Sequence, residues 1–519
     1  MSKENTTTAE KLMDIIEDVL FFHDPSGVGW ARIDGHAVPV RSTKFKRWLQ
    51  RRYYQLYNKT PHSQAIQDVI DQAAGKALFD SSLETVSVRV AKQPDSIVVD
   101  LCSDYGVSKV EITPDGWQEG TSKIVNFWRP QGMNPLPKPI HGSINMLRPF
   151  VNVESDSDFR LLVAWLLAAH NPEIACPILV LQGEQGTAKS TTAKVLRSLI
   201  DPNGALIRSK PRDEKEIIIQ AQNSRVLCLD NLSGLNKWLS DMLCRICTGT
   251  GFSTRRLYTN DEEKIFKVKR PIILNGIDDI ATRGDLLDRS IVLSLPTIPD
   301  SKRKDEREFW KDFEKAQPEI MGSLFNAIST GLASENPNLE ELPRMADFAE
   351  WITRCETAFG WNSGTLLFDY NANRDEAVET GLDSDYLAGA IRKILSTDNQ
   401  YKGTATELVE RIRTVSPDVN EKYLPTTRTL KSRLRRLAPA LRKIGITWEY
   451  KRTGSDGSRT YFLESKELDP SEVSAPSENE TKTDTTDSTD SLEQELSKNG
   501  ANPNADIFGE PSLTDKAPF

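Results

Sequence analysis

A lysine and two hydroxyls, Lys189-Ser190-Thr191, close a glycine-containing turn that follows an apolar run, PILVLQGEQGTAKST over residues 177–191. The pattern predicts strand, phosphate-binding loop, helix. Gly183 and Gly186 free the backbone to aim N–H groups at phosphate oxygens, and a helix starting near Ser190 adds the positive end of its dipole. On this reading Gly183, Glu184, Gln185, Gly186, Thr187 and Ala188 form the ATP-binding arch. Lys189 reaches the β- and γ-phosphates, Ser190 holds Mg2+, and Thr191 continues the helix. Ala188 stands where the usual G-x-x-x-x-G-K-[ST] has its second glycine, and it suits that place provided no positive φ is needed.

A second anchor for the ion is expected from RVLCLDNLSG (225–234), an apolar run closing on Asp230. An acid at a strand tip beside a phosphate loop completes a magnesium shell. Asn231 follows, and asparagine orients a water without accepting its proton; Glu184 is the alternative source of a base. Asn275, at the tip of the run PIILNG, can hydrogen-bond the γ-phosphate or the attacking water. Arg289, in RGDLLDRSIVLSLP, sits at a helix-to-strand junction from which an arginine can reach a neighbour's ATP. Arg283 is the fallback, and an ion pair within its own subunit is the plain alternative for Arg289. The catalytic set is thus Lys189, Asp230, Asn231, Asn275 and Arg289, with Ser190 and Asp230 on the metal.

Between these runs, STRRLYTNDEEKIFKVKR reads as a hairpin carrying Arg255, Arg256, Lys264, Lys267 and Lys269. The order of parts resembles superfamily 3 helicases and related AAA+ ATPases. More narrowly, GEQGTAKST, LDNLSG, TGTGFSTRRLYTNDEE, LNGIDD and DLLDRS resemble the primase/helicase-like ATPases of phages, plasmids and integrative elements. The resemblance covers about residues 150–300. It implies an AAA+ core, a homo-oligomeric ring, taken as a hexamer, and translocation on single-stranded or forked DNA with the hairpin bases facing the pore. Many such ATPases carry a glutamate where Asn231 stands. Arg344 could be a second sensor, as in many AAA+ lids, or one half of a surface pair.

The elements that must position this site are predicted as follows. Residues 1–142 form an N-terminal α+β region, helical over 1–75 and alternating from Leu83 to Phe127 (TVSVRVAK, SIVVDLC, KVEIT). The run FKRWLQRRYYQLY (45–57) mixes bases and aromatics; its plain reading is a buried stripe of Phe45, Trp48, Leu49 and Leu56. Asp100 and Asp104 raise a primase metal pair, but Cys102 stands where an Asp-x-Asp needs its second acid, so primase chemistry is unsupported. The stretch RPQGMNPLPKPIHG (129–142) reads as a linker. Residues 150–300 form the α/β P-loop core with a parallel sheet, and 301–375 a helical lid. DFRLLVAWLLAAHNP is a helix against that sheet, with His170 as a cap or packing residue.

Residues 384–465 read as three helices and two strands, a winged helix. Between Glu421 and Arg459 lie eleven Lys/Arg against three Asp/Glu. Arg428, Lys431, Arg435, Arg436 and Arg442 on the third helix and Lys451, Arg452 and Arg459 beside the TGSDGS wing are candidates for DNA contact. The net charge of -9 belongs to residues 466–519, which carry thirteen Asp/Glu and four Lys. That segment cannot bury a core and is expected to be disordered. Its end, TDKAPF, resembles the tail tip of bacterial single-stranded-DNA-binding proteins, which suggests docking of host replication proteins on Pro518-Phe519.

Six scattered cysteines form no framework, and Cys244 and Cys247 are read as packing on one helix face. No apolar run approaches the roughly 20 residues of a membrane span, so a cytoplasmic protein with no membrane partner is expected. The main expectation is an ATP-driven DNA helicase or replication initiator of a mobile element. An ATP-dependent DNA-binding switch or loader with little hydrolysis, and a nucleotide-gated interaction or regulatory protein, are the alternatives.

Overall fold

The computed structural model describes residues 7–466 apart from 104–107, 122, 256–262, 267, 277–279, 281–282, 340–341, 421–422 and 453–458. The elements named below are those of the described residues. The chain divides after Lys466, so the acidic tail, with Pro518 and Phe519, lies outside the described residues.

Helix α1 (Thr8–Glu17) opens with a capping box in which Thr7 and Glu10 satisfy each other's backbone N–H. Residues 1–75 are not wholly helical as expected. Strands β1 (Leu20–His23), β2 (Gly29–Ile33) and β3 (His36–Pro39) form an antiparallel meander ahead of α2 (Thr43–Tyr57) and α3 (Ser63–Phe79). The physical reason is local: Asp34 and Gly35 have φ of 49° and 77°, the turn that two short twisted strands require. In α2 the buried stripe is Phe45, Leu49 and Tyr53, spaced by four, whereas Leu56 is 61% exposed.

The alternating segment gives β4 (Val86–Ser87), which pairs with β9 (Asn126–Phe127), and a four-stranded sheet of β5 (Val90–Gln93), β6 (Ser96–Asp100), β7 (Lys109–Thr113) and β8 (Gly116–Glu119). Asp100 is fully buried and ion-paired to Arg129, with Arg129 Nη2 at 2.6 Å from its Oδ1. It closes a structural contact instead of ending in solvent; Asp104 lies outside the described residues. One face of this sheet (Val90, Ile97, Val99, Val110, Ile112) packs in the same hydrophobic cluster as the helices that follow. Residues 129–142 are a seated strap and not a free linker. Asn134 N donates to Pro202 O at 2.9 Å, Leu136 N to Leu101 O at 2.8 Å and Ile140 N to Pro318 O at 3.1 Å.

After the strap, α4 (Asp156–Ala169) is buried on all sides from Leu161 onward. His170 caps it, fully buried, its Nδ1 2.8 Å from Leu166 O; burial pushes its pKa down to about 4. Then come β10 (Ile178–Gln182), α5 (Lys189–Ser198), α6 (Glu214–Gln222), β11 (Leu227–Leu232), α7 (Lys237–Thr248), the hairpin β12 (Phe252–Arg255) and β13 (Glu263–Phe266), β14 (Ile272–Gly276), α8 (Gly284–Leu287) and β15 (Ser290–Ser294). Four of these strands form a parallel sheet in the order β11-β14-β10-β15. They are buried on both faces, which is why each reads as an unbroken apolar run. Cys244 and Cys247 are buried on α7, as read from their spacing.

Helices α9 (Glu306–Ala333), α10 (Ala346–Cys355) and α11 (Thr365–Ser384) follow. The last module holds α12 (Tyr386–Asp398), β16 (Gln400–Thr404), α13 (Ala405–Val415), α14 (Leu430–Lys443), β17 (Ile446–Arg452) and β18 (Arg459–Ser465), with sheet order β16-β18-β17. β16 is an addition to the three helices and two strands expected. Its sequence, QYKGT, is polar and mostly unburied, so it lacks the apolar alternation that marks a strand. Among the described residues, no helix is long and apolar enough to cross a membrane.

The strap leaves no room on α9, because a β-carbon on Gly322 would run into the Ile140 carbonyl. Gly322→Ala is expected to cost about 1–3 kcal/mol through overpacking. Chemical denaturation of the two proteins checks this, with Gly389→Ala, on an open helix face, as the unobstructed control, expected to gain about 0.5–1 kcal/mol.

Candidate functional site

The loop after β10 is a narrow arch. Gly183 and Gly186 have φ of 139° and 86°, and a β-carbon on Gly183 would stand 2.7 Å from the Leu295 carbonyl, so Gly183 is required by backbone and space and Gly186 by backbone. Ala188 has φ of 57° and caps α5 without a side-chain hydrogen bond. The proviso under which alanine suits this position therefore fails: it sits in left-handed backbone, where its Cβ crowds the following carbonyl. The first N–H groups of α5 consequently face the arch with no side-chain cap.

Lys189 crosses the mouth of the arch, donating to Gly183 O at 2.7 Å, Glu184 O at 2.6 Å and Thr187 Oγ1 at 3.2 Å. Burial lowers its pKa, and Asp230 pulls the other way. Glu184, Gln185 and Gly186 are exposed, Thr187 is buried, and Thr191 is half-buried on α5. Ser190 Oγ donates to Asp230 Oδ1 at 2.9 Å. Two oxygens from two different strand-to-helix segments thus meet beside the lysine.

Between them lies β14. Asn275 is 1% exposed, its Oδ1 accepts from Asn231 N at 2.9 Å, and its buried Nδ2 has no protein partner. Asn231 itself is exposed, with φ of 54°, where the β11–β14 register shifts. A bulge there turns the end of β11 outward.

Arg289 is half-buried and donates to its own Asp285 O at 2.7 Å, so the intrasubunit partner is a carbonyl and not the carboxylate of an ion pair. Arg283 pairs with Asp241 at 2.9 Å and Asp285 at 3.1 Å, which ties it to α7 and α8. Arg344 pairs with Asp288 at 3.2 Å on the surface. The backbone places Arg255 opposite Glu263, and Lys264 opposite Thr254, in the β12–β13 hairpin; Arg256 and Lys267 lie outside the described residues. Lys269 turns back and donates to the Glu173 carbonyl.

On α14 the exposed positions 432, 435, 436, 439 and 442 share one face, which carries Arg435, Arg436 and Arg442; Arg428, expected on the same helix, is exposed in the turn just before it. Lys431 lies 4.4 Å over the Tyr450 ring and Arg459 5.9 Å from it. Lys451 and Arg452 are exposed, Lys451 being ion-paired to Glu449; the residues 453–458 lie outside the described residues. Arg303, which sequence reasoning did not single out, reaches the arch: its Nη2 would stand 3.3 Å from a β-carbon on Gly186. Nothing in its spacing marks it, because it approaches from beyond β15. No group of three or more His, Cys, Asp or Glu able to hold a metal by themselves occurs among the described residues.

Residues 144–379 match the family model of the actinomycete integrative conjugative element replication protein. Residues 387–479 match the model of that protein's C-terminal domain. Together these matches take in more than half of the chain, which belongs to this replication-protein family. Among solved structures, an A-form apo structure of the NrS-1 C-terminal region is similar at 10% identity, covering 88% of this chain and 98% of that one, with a TM-score of 0.40. A second apo structure of the same region has 11% identity, 88% and 99% coverage and a TM-score of 0.40. No curated protein matches the chain.

Relief of the left-handed alanine has a measurable sign. Ala188→Gly is expected to raise stability by roughly 0.5–1 kcal/mol, the strain removed less the extra freedom glycine has when unfolded. Denaturation midpoints at fixed protein concentration check it.

Proposed function

We propose that the chain is an ATP-driven DNA motor or initiator for replication of the element, with a P-loop ATPase core of the AAA+, superfamily 3-like kind and a C-terminal winged helix. The observation that carries this reading is the 2.9 Å hydrogen bond from Ser190 to Asp230 at the mouth of a glycine arch crossed by Lys189. The donor set fits Mg2+ and a nucleotide: two hard oxygens, an ammonium, uncapped helix N–H groups and the unpartnered Asn275 Nδ2. Magnesium, when bound, would supply charge neutralisation at the phosphates.

The protein's own groups then divide the work. Arch N–H groups and Lys189 hold the phosphates, and Ser190 and Asp230 hold the ion. Asn275 offers its free N–H to the γ-phosphate or the attacking water, and Asn231 orients that water. Arg289 is the arginine offered to a neighbouring subunit of a homo-oligomeric ring, since Arg283 is held by two carboxylates. DNA meets Arg255, Arg256, Lys264 and Lys267 of the hairpin and the basic face of α14 with Lys451 and Arg452.

One observation favours a second reading. Asn231 has no carboxylate, so an ATP-dependent switch or loader that binds nucleotide with little turnover also fits. ATP turnover of the full chain, with and without single-stranded DNA, separates the two. DNA-stimulated turnover that falls by about two orders of magnitude in Lys189→Ala supports the motor. Binding without turnover supports the switch.

The DNA assignment has its own test. In a salt titration of DNA binding, Arg428→Ala with Arg436→Ala is expected to reduce the slope of log K against log[salt] by about 2, at roughly 0.9 per lost phosphate contact. An unchanged slope would place DNA elsewhere.

A further inference from the structure

We infer that Arg303 is a second cation of the nucleotide site, supplied by the same chain from the flank of the arch opposite Asp230, where it binds the diphosphate shared by ADP and ATP. This rests on the nucleotide-site reading above. Sheet order places the two flanks: Asp230 lies near the end of β11, two strands to one side of β10, whereas Arg303 follows β15, the neighbour on the other side. The chain leaving β15 walls the arch. Leu295 N donates to Gln182 O at 2.9 Å, and the Leu295 carbonyl occupies the space a side chain at Gly183 would need. Asn152 Nδ2 then clamps the two segments together, donating to Thr187 O at 3.1 Å and Pro296 O at 2.6 Å.

A single 3-10 turn, Asp300–Lys302, then brings Arg303 back over exposed Gly186. There the guanidinium pairs with Asp300 at 3.2 Å, with side chains 60% and 89% exposed. An ion pair that open to water stabilises the fold little. A guanidinium fork pairs better with two phosphate oxygens than with a solvated carboxylate, so phosphate competes with Asp300 for it. Asp300 is therefore a parking partner and Arg303 a nucleotide-binding residue.

This assignment predicts opposite signs for the two partners. In equilibrium titrations of the full chain with fluorescent ADP and ATP analogues plus Mg2+, Arg303→Ala is expected to weaken both nucleotides about tenfold, the loss of one hydrogen bond to a charged group. Arg303→Lys recovers part of that affinity, and Asp300→Ala leaves it equal or tighter. Thermal midpoints without nucleotide stay within error of wild type for all three. If Lys189→Ala loses binding while Arg303→Ala binds like wild type, the Arg303 assignment is overturned. So it is if Asp300→Ala weakens binding as much as Arg303→Ala, because the pair then acts as a structural unit. If wild type binds neither nucleotide, or Lys189→Ala binds as well as wild type, the nucleotide-site reading fails and this inference with it.

Discussion

Ser190 and Asp230 can meet only because three parallel strands end at one level. Leu181 on β10 is level with Asn275 on β14, and Leu229 on β11 with Leu274. A slip of one residue in either pairing would turn the polar tip of a strand to the opposite face of the sheet. The burial of all three strands on both faces fixes the register, since each alternative would push a polar tip into the core. Asn275 does more than end the middle strand: by accepting Asn231 N it sets the direction in which β11 leaves the sheet.

The other end of α5 is held as firmly. Asp201, 1% exposed, accepts from the backbone N–H groups of Arg225 and Val226 at 2.9 and 3.3 Å, so the turn after α5 is bonded to the start of β11. Arg197 and Arg89 lie beside the same carboxylate and spend their remaining donors on carbonyls, Arg197 on Leu206 O at 2.7 Å and Arg89 on Asn134 O at 2.6 Å. Burial lowers the pKa of Arg197, with Asp201 opposing. A buried guanidinium is costly without such partners, which makes the strap at Asn134 part of the support for α5. The groups proposed to hold nucleotide thus stand on elements fixed at both ends, the condition for a site whose geometry precedes its ligand.

What was legible in the sequence was contiguous. An apolar run ending in a polar tip announces a buried strand and its functional end in one stretch, and so β10 with its arch, β11 with Asp230 and β14 with Asn275 are readable without the fold. The basic helix α14 is readable for the same reason. What escaped depends on partners far along the chain. The strap of residues 129–142 has turn-forming composition, and only its bonds to Leu101, Pro202 and Pro318 make it structure. Polar β16 is a strand because β18 pairs with it. Arg303 is one arginine among many until the exit of β15 lays it on Gly186.

Backbone conformation was the other hidden quantity, and it bears on the most unusual residue of the site. Ala188 and Asn231 are the two departures from the pattern that the family resemblance implies, and both occupy left-handed backbone, with φ of 57° and 54°. For Ala188 that is a cost with no local compensation in the hydrogen bonds of the loop. Asn231 is different: asparagine tolerates this region far better than most side chains, because its short amide can bond locally. A glutamate there would carry the same backbone penalty without that relief. The bulge at the end of β11 therefore supplies a structural reason for asparagine that is independent of any catalytic role. It also follows that the residue next to Asp230 is weak grounds for choosing between the two proposed readings; Asn275, buried on β14 between β10 and β11 with a side-chain N–H that has no protein partner, is the better place to look.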